Sequence, residues 1–297
     1  MITQKTFFIS ILLLFASQSL CATSFKESFK QKGYVEIYNK KPPAATFDSL
    51  YLYFDKLIEF LQTNPVWVKK LYIAKERFIR SKDRNFYSTD FFGFYDDSER
   101  EGRRQISFYY SIHFHEFICS HYPEFNKIPE IVSFFEACLE IQKPYGDLFN
   151  EAATELDLET IFSSNYGHPP ILFKVVKYLP SYFSTKPHYD GSVFSLFLDS
   201  TDDQSLFLSP YKSIFTIGDF FSPSRKCSEE ENQDSILLIP GVFLAEFFIY
   251  PTPHIVVQSG KIRHATIIFA MRPNSTFQKI EFSPLPTFSS SASIKVE

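Results

Sequence analysis

The sequence predicts an α+β fold, mainly β in its second half, built as a barrel or sandwich with helices packed outside. Two observations carry this. Between Ile171 and Ala270 short apolar runs recur, most of them separated by polar, Pro or Gly turns, as in all-β sandwiches and barrels. Before residue 170 the apolar residues mostly repeat at helix spacing instead. At 297 residues and 44% hydrophobic, the chain can bury the core of one large or elaborated domain.

Ser24 to Asn39 reads as a short helix followed by a strand. Phe47 to Gln62 and Val66 to Ile79 carry apolar residues at helix spacing and form a helical hairpin region. Asp83 to Arg103 is polar and turn-rich, a loop. From Arg104 to Phe114 the apolar residues alternate (Ile106, Phe108, Tyr110, Ile112, Phe114), which predicts a strand. Pro129 to Leu158 reads as one long amphipathic helix bent near Pro144, and Pro169 and Pro170 close this half. Then come the apolar runs Ile171 to Leu179, Val193 to Leu198, Ser205 to Leu208 and Ser213 to Ile217. Ser235 to Ile239, Val242 to Tyr250, His254 to Val257 and Arg263 to Ala270 continue the series, each read as a strand. Ser222 to Asp234 is a charged, solvated loop, and the Ser/Pro-rich end from Pro284 has the composition of a disordered tail.

The N-terminus has the layout of an export signal. Lys5 gives a sparse positive start, Thr6 to Ala16 is apolar, and Ser17 to Ala22 is a small-residue exit with Ser19 and Cys21 at the cleavage positions. This predicts an exported protein, periplasmic or secreted, with a cytoplasmic one as the alternative if the segment is a retained helix. The run is too short for a comfortable membrane span and no later stretch suffices, so stable membrane insertion is not expected after cleavage. The chain then divides into residues 1–22 (signal), 23–170 (N-terminal helical α/β region), 171–275 (barrel) and 276–297 (tail). Cleavage leaves Cys119, Cys138 and Cys227, enough for one internal disulfide, with Cys119 to Cys138 the obvious candidate. No CxxC occurs, so zinc-ribbon and thioredoxin-type chemistry find no support.

Net charge is −4, with Lys and Arg scattered. Nucleic acid is therefore not an expected partner, because neutralising phosphates needs a concentrated basic face. Phe is abundant, 36 residues against 9 Gly. Core filling explains most of it; an aromatic-lined substrate pocket is the sharper alternative.

The chemistry centres on Lys186-Pro187-His188-Tyr189-Asp190-Gly191. On an extended backbone side chains two apart share a face, so the imidazole of His188 and the carboxylate of Asp190 can reach one metal. A second imidazole from a distant strand, His254, would complete three ligands on one side of an octahedron, leaving positions open for cosubstrate and dioxygen. That pattern suits non-haem Fe(II). An isolated H-x-D is a weak signal; the flanking strands and His254, 64 residues after Asp190 and heading its own strand, strengthen it.

With these residues the sequence resembles the isopenicillin N synthase-like branch of the Fe(II)/2-oxoglutarate-dependent dioxygenases. Pro187 to Leu198 resembles that family's H-x-D and following strand. Ser235 to Gly241 resembles its Gly-Asp turn, Pro253 to Val257 the second-histidine segment, and Arg263 to Phe269 its R-x-S strand. Gly33 to Asn39 resembles the first strand and Phe134 to Leu158 the long helix behind the barrel. The resemblance implies a double-stranded β-helix (jelly-roll) barrel with packed helices and an N-terminal α/β extension. It implies His188, Asp190 and His254 as ligands of catalytic iron, with Arg263 holding the far carboxylate of 2-oxoglutarate and Tyr178 donating a hydroxyl to it. The implied reaction decarboxylates 2-oxoglutarate to succinate with dioxygen and oxidises an unactivated C–H of a small-molecule substrate.

Two departures stand out. Ala265 occupies the Ser position of R-x-S, with Thr266 beside it on the opposite face, and the turn is Pro240-Gly241. They leave two alternatives: an Fe(II) oxidase without 2-oxoglutarate, its Arg263 holding a substrate carboxylate, and an exported degenerate barrel that only binds. His113 and His115 form an H-x-H pair that the strand reading turns toward solvent. His121 and His168 read as structural or exposed, His264 as facing away from Arg263's side, and Arg272 as a rival anion site beyond the barrel.

Overall fold

The computed structural model describes residues 24–82, 87–100, 104–162, 170–181, 187–201, 205–212, 217–223, 235–257 and 260–273. The export segment, Cys227, His168 and the C-terminal tail lie outside them. No described helix is long and apolar enough to cross a membrane.

Ser24 opens helix α1 (Phe25–Gln31), its hydroxyl accepting from the Glu27 amide at 3.3 Å. Gly33, at φ +84°, ends the turn; a Cβ there would press on the Ser209 carbonyl at 3.0 Å. Strand β1 (Val35–Ile37) follows. Helix α2 (Ala44–Thr63) buries Phe47, Leu50, Tyr51, Phe54, Leu57, Ile58 and Leu61 along one face, and α3 (Pro65–Ile79) starts on a proline whose missing N–H costs nothing at that position. Both match the expected hairpin. Strands β2 (Gly93–Asp97) and β3 (Gln105–Tyr110) precede α4 (Ile112–His121), α5 (Pro129–Gln142) and α6 (Tyr145–Thr154). The remaining strands are β4 (Ile171–Tyr178), β5 (Phe194–Ser200), β6 (Leu206–Leu208), β7 (Ile236–Pro240), β8 (His254–Val256) and β9 (Arg263–Ala270).

Seven strands form one antiparallel sheet in the order β1-β7-β5-β9-β4-β3-β2, three of them drawn from before residue 171. Helices cover one face. Phe54 of α2 stacks on Phe134 of α5 at 5.3 Å, Phe134 meets Phe108 of β3 edge-on at 5.2 Å, and Phe149 of α6 stacks on Phe194 of β5. Each buried Phe contributes about 1.5–3 kcal/mol, so this layer fixes the helices to the sheet. The other face carries a smaller apolar cluster: Val176 and Tyr178 of β4, Phe197 of β5, Leu237 and Ile239 of β7, and Ala265 and Ile267 of β9. Leu206 and Leu208 of β6 close it from opposite. β6 pairs with β8, and single bridges from Leu208 to Phe221 and from His188 to His254 extend this small sheet to four chain segments. A large helix-backed sheet facing a small one across a lumen is the expected double-stranded β-helix.

The structure corrects several local readings. β2 lies inside the stretch read as loop; its GFYDD sequence has little apolar alternation because it is an edge strand, paired only with β3. The strand expected to reach Phe114 stops at Tyr110. Ser111 caps a helix there, accepting from the Phe114 amide at 3.1 Å, so His113 and His115 sit on α4. His113 pairs with the Tyr87 hydroxyl and His115 with the Tyr110 hydroxyl, each at 2.9 Å; burial lowers the His115 pKa against a weaker opposing effect of Glu136. They hold tyrosines instead of turning to solvent. The long helix is two helices parted at Pro144. Val242 to Tyr250 is not a strand: Val242–Phe247 is a 3-10 helix. Cys119 and Cys138 are free thiols; Cys138 is buried in the helix core while Cys119 donates to Asn126 Oδ1.

Candidate metal centre

The three residues singled out by the H-x-D pattern and the distant imidazole meet at one mouth of the lumen. Each of His188, Asp190 and His254 offers a donor atom, and these atoms lie within 4.8 Å of one another. Backbone pairing explains the approach. His188 and His254 are directly opposed, exchanging N–H···O bonds of 3.1 and 3.0 Å, which puts their rings 4.2 Å apart between centroids. Asp190, two residues on, is held by its carbonyl, which accepts the Val242 N–H at 3.0 Å.

The second imidazole is fixed from behind. His254 Nδ1 lies 3.2 Å from the Thr252 carbonyl, so the proton belongs on Nδ1 and the Nε2 lone pair is available. Nε2 faces Asp190 Oδ1 at 3.6 Å, too far for a hydrogen bond but a gap that one ion can bridge. Phe197 packs edge-on against the ring at 5.7 Å, on the lumen side. Asp190 Oδ2 is buried and has no hydrogen-bond partner among the described residues. A buried carboxylate oxygen left unmet is costly, and a cation would satisfy it. Two imidazoles and one carboxylate, with that oxygen waiting, fit a divalent transition metal such as Fe(II).

Arg263 is 3% exposed and stands on the same face of β9 as Ala265 and Ile267, inside the lumen. Its guanidinium carbon lies 3.8 Å from the centre of the Tyr178 ring, and Nη2 donates to the Val257 carbonyl at 3.1 Å. Tyr178, the register partner of Arg263, thus presents its ring face to the cation. His264 faces the helices, as expected, where its Nε2 meets Asp55 at 2.9 Å. Arg272 Nη1 donates to both carboxylate oxygens of Glu246, at 2.9 and 3.0 Å, so its charge is already paired and it is no rival anion site. His121 is exposed at the end of α4, where its ring stacks on Phe117.

Two positioning residues escaped the sequence reading. A Cβ on Gly241 would fall 2.1 Å from the Ser192 carbonyl, so only glycine lets the turn after β7 lie on the H-x-D segment and deliver Val242 N–H to Asp190. Thr252 orients His254 through its carbonyl, while its hydroxyl donates to the Gly33 carbonyl. The available signals were a glycine closing an apolar strand and a threonine bracketed by Pro251 and Pro253. Beside the site, burial and then the neighbouring Tyr211 phenol push the Tyr189 phenol well above its ordinary pKa.

No family model and no curated protein matches the sequence. Solved structures do match by fold. Dioxygenase for auxin oxidation 1 from Arabidopsis thaliana, solved with 2-oxoglutarate, superposes with a TM-score of 0.53 at 14% identity, over 85% of this chain and 88% of that one. A protein from Caulobacter crescentus described as of the 2OG-Fe(II) oxygenase family gives 0.50 at 14%, over 98% and 93%. JOX2 in complex with 2OG, Fe and JA gives 0.50 at 16%, over 88% and 71%. The chain shares the fold of these oxygenases.

Proposed function

We propose that this protein is a non-haem Fe(II), 2-oxoglutarate-dependent oxygenase that oxidises an unactivated C–H of a small molecule. The observation that carries the reading is the convergence of His188, Asp190 and His254 around a buried, unmatched carboxylate oxygen. The fold held in common with structures containing 2-oxoglutarate and iron supports it. His188, Asp190 and His254 would hold the ion. Bound there, Fe(II) supplies dioxygen activation coupled to conversion of 2-oxoglutarate to succinate and carbon dioxide.

The chain's own groups do the placing. Arg263 can grip the far carboxylate of 2-oxoglutarate with its planar fork, and stacking on Tyr178 holds the guanidinium flat within the lumen. In this reading the Tyr178 hydroxyl reaches the same carboxylate. The Thr252 carbonyl keeps His254 in the ligating tautomer, and Phe197 shields it from water. Anaerobic Fe(II) titration with and without 2-oxoglutarate tests the reading; a weak visible charge-transfer band appearing only with both is the expected result. No Fe(II) uptake would leave a barrel that merely binds.

Ala265, where the resembled motif has Ser, favours one other reading: an Fe(II) oxidase in which Arg263 holds a substrate carboxylate. Succinate released in step with substrate oxidation excludes it.

A further inference from the structure

A cavity of about 510 Å³ opens beside the second-histidine segment. Its apolar wall is Phe248, Ile249, Tyr250 and Tyr211, and its other wall is α1 with Lys26 and Lys30. Tyr211 and Tyr250 stack almost parallel, rings 4.2 Å apart and 11° from coplanar. The chain joins both walls to the support of His254. Tyr250 is four residues before His254, and Thr252 between them binds His254 Nδ1 and, at the end of α1, the Gly33 carbonyl.

Phe248 is 82% exposed and adopts φ 60°, ψ 24°, the left-handed cap of the 3-10 helix. Glycine would fill that cap without strain, whereas phenylalanine there costs backbone energy and shows an apolar ring to water. A bound molecule that covers the ring accounts for both features. The charges agree in direction. Lys26 and Lys30, one turn apart on α1, have no ion-pair or hydrogen-bond partner among the described residues, while Glu27 on the same wall is bonded to Gln31 at 2.6 Å. The volume falls in the range of small-molecule sites.

We infer that this pocket is a binding site for small planar apolar acids. The conjugated body lies against Phe248 and the tyrosine pair, and the anionic group lies against Lys26 and Lys30. The inference goes beyond the oxygenase reading and does not depend on it, because the binding needs no metal.

The test uses the full chain with 1-naphthoate and its neutral counterpart 1-naphthamide, followed by naphthyl fluorescence anisotropy without added metal. Naphthoate is expected to bind about five- to tenfold tighter than the amide, the scale of two solvent-accessible ion pairs. The K26A/K30A double variant erases that preference and leaves amide binding unchanged. Phe248→Ser, at an exposed position that does not threaten the fold, weakens both ligands. Equal binding of acid and amide, unaltered binding in Phe248→Ser, or displacement of naphthoate by saturating 2-oxoglutarate each overturns the pocket. Naphthoate binding without Fe(II) uptake overturns the oxygenase reading alone.

Discussion

Along β9 the even-numbered side chains face the helices and the odd-numbered ones face the lumen. On the helix side, polar groups are matched in chains. His264 meets Asp55 and stacks on Tyr51 at 4.9 Å, Thr266 donates to the Tyr51 hydroxyl at 3.2 Å, and Tyr51 donates to Asp199 at 2.8 Å. Lys41 and Lys177 complete ion pairs with Asp199 and Asp55. On the lumen side, Arg263 lies over an aromatic ring beside the small Ala265, and Asp190 Oδ2 waits at the mouth. One strand therefore carries matched polar groups on its helix side and the proposed cosubstrate contact on its lumen side, and substitutions on the two faces should separate cleanly.

The largest separation is expected at Asp190. Asp190→Ala removes a proposed ligand, so Fe(II) affinity should fall by more than the roughly 10–100-fold typical of losing an outer-shell partner. Folding should not suffer. The deleted carboxylate has an unmatched buried oxygen, so the metal-free unfolding temperature should stay level or rise. A parallel loss of metal binding and stability would place Asp190 with the structural polar groups.

Gly241→Ala should damage both properties, because the turn it permits is shared. Its new methyl would strike backbone at 2.1 Å, which cannot be relieved by a rotamer change. Destabilisation of about 2–4 kcal/mol is expected in urea unfolding, with weaker Fe(II) binding as Val242 N–H leaves Asp190. Unchanged Fe(II) affinity in the folded variant would show that Asp190 needs no such support.

This turn also shows where the sequence stopped being readable. The H-x-D spacing, the distant histidine and the in/out alternation of β9 are local patterns, and they singled out three side chains whose donor atoms lie within 4.8 Å of one another. What decided Val242 to Tyr250 was not local. The run VFLAEFFIY has the composition of a strand, but its first amides are used by Asp190 and Ser192, which bends it into a 3-10 helix. Ile112 to Phe114 misled for the opposite reason: a strand-like alternation continued across Ser111, whose capping hydroxyl turns the chain into α4. GFYDD in β2 offers almost no pattern, and only pairing with β3 makes it a strand.

On the helix side, Asp55→Asn should act on stability alone. Burial raises the Asp55 pKa, but the hydrogen bonds and charges of His264 and Lys177 outweigh it and leave the carboxyl below its ordinary value. A depressed carboxyl pKa contributes stability that is present above the unfolded value, about 3.9, and disappears as pH falls through the folded one. Asp55 is 39% exposed in its side chain, so solvent screening limits the effect to under about 1 kcal/mol. The urea midpoints of wild type and Asp55→Asn should differ at pH 7 and converge below pH 3 to 4, roughly. Fe(II) affinity should be the same in both, and a drop would mean that the outer face of β9 steers the lumen.

Ala265→Ser makes the smallest and most specific change. It puts a hydroxyl on the lumen face two residues from Arg263, at a position that is 8% exposed and packs in one cluster with Tyr178 and Phe197. If Arg263 holds the far carboxylate of 2-oxoglutarate, that hydroxyl adds one hydrogen bond, about 1 kcal/mol or roughly a fivefold lower half-saturation for 2-oxoglutarate. Fe(II) affinity should not move, because no ligand or ligand support is touched. A looser 2-oxoglutarate response would mean that the small alanine makes room for a different acid on Arg263, and the oxidase reading would then gain the residue that most distinguishes it.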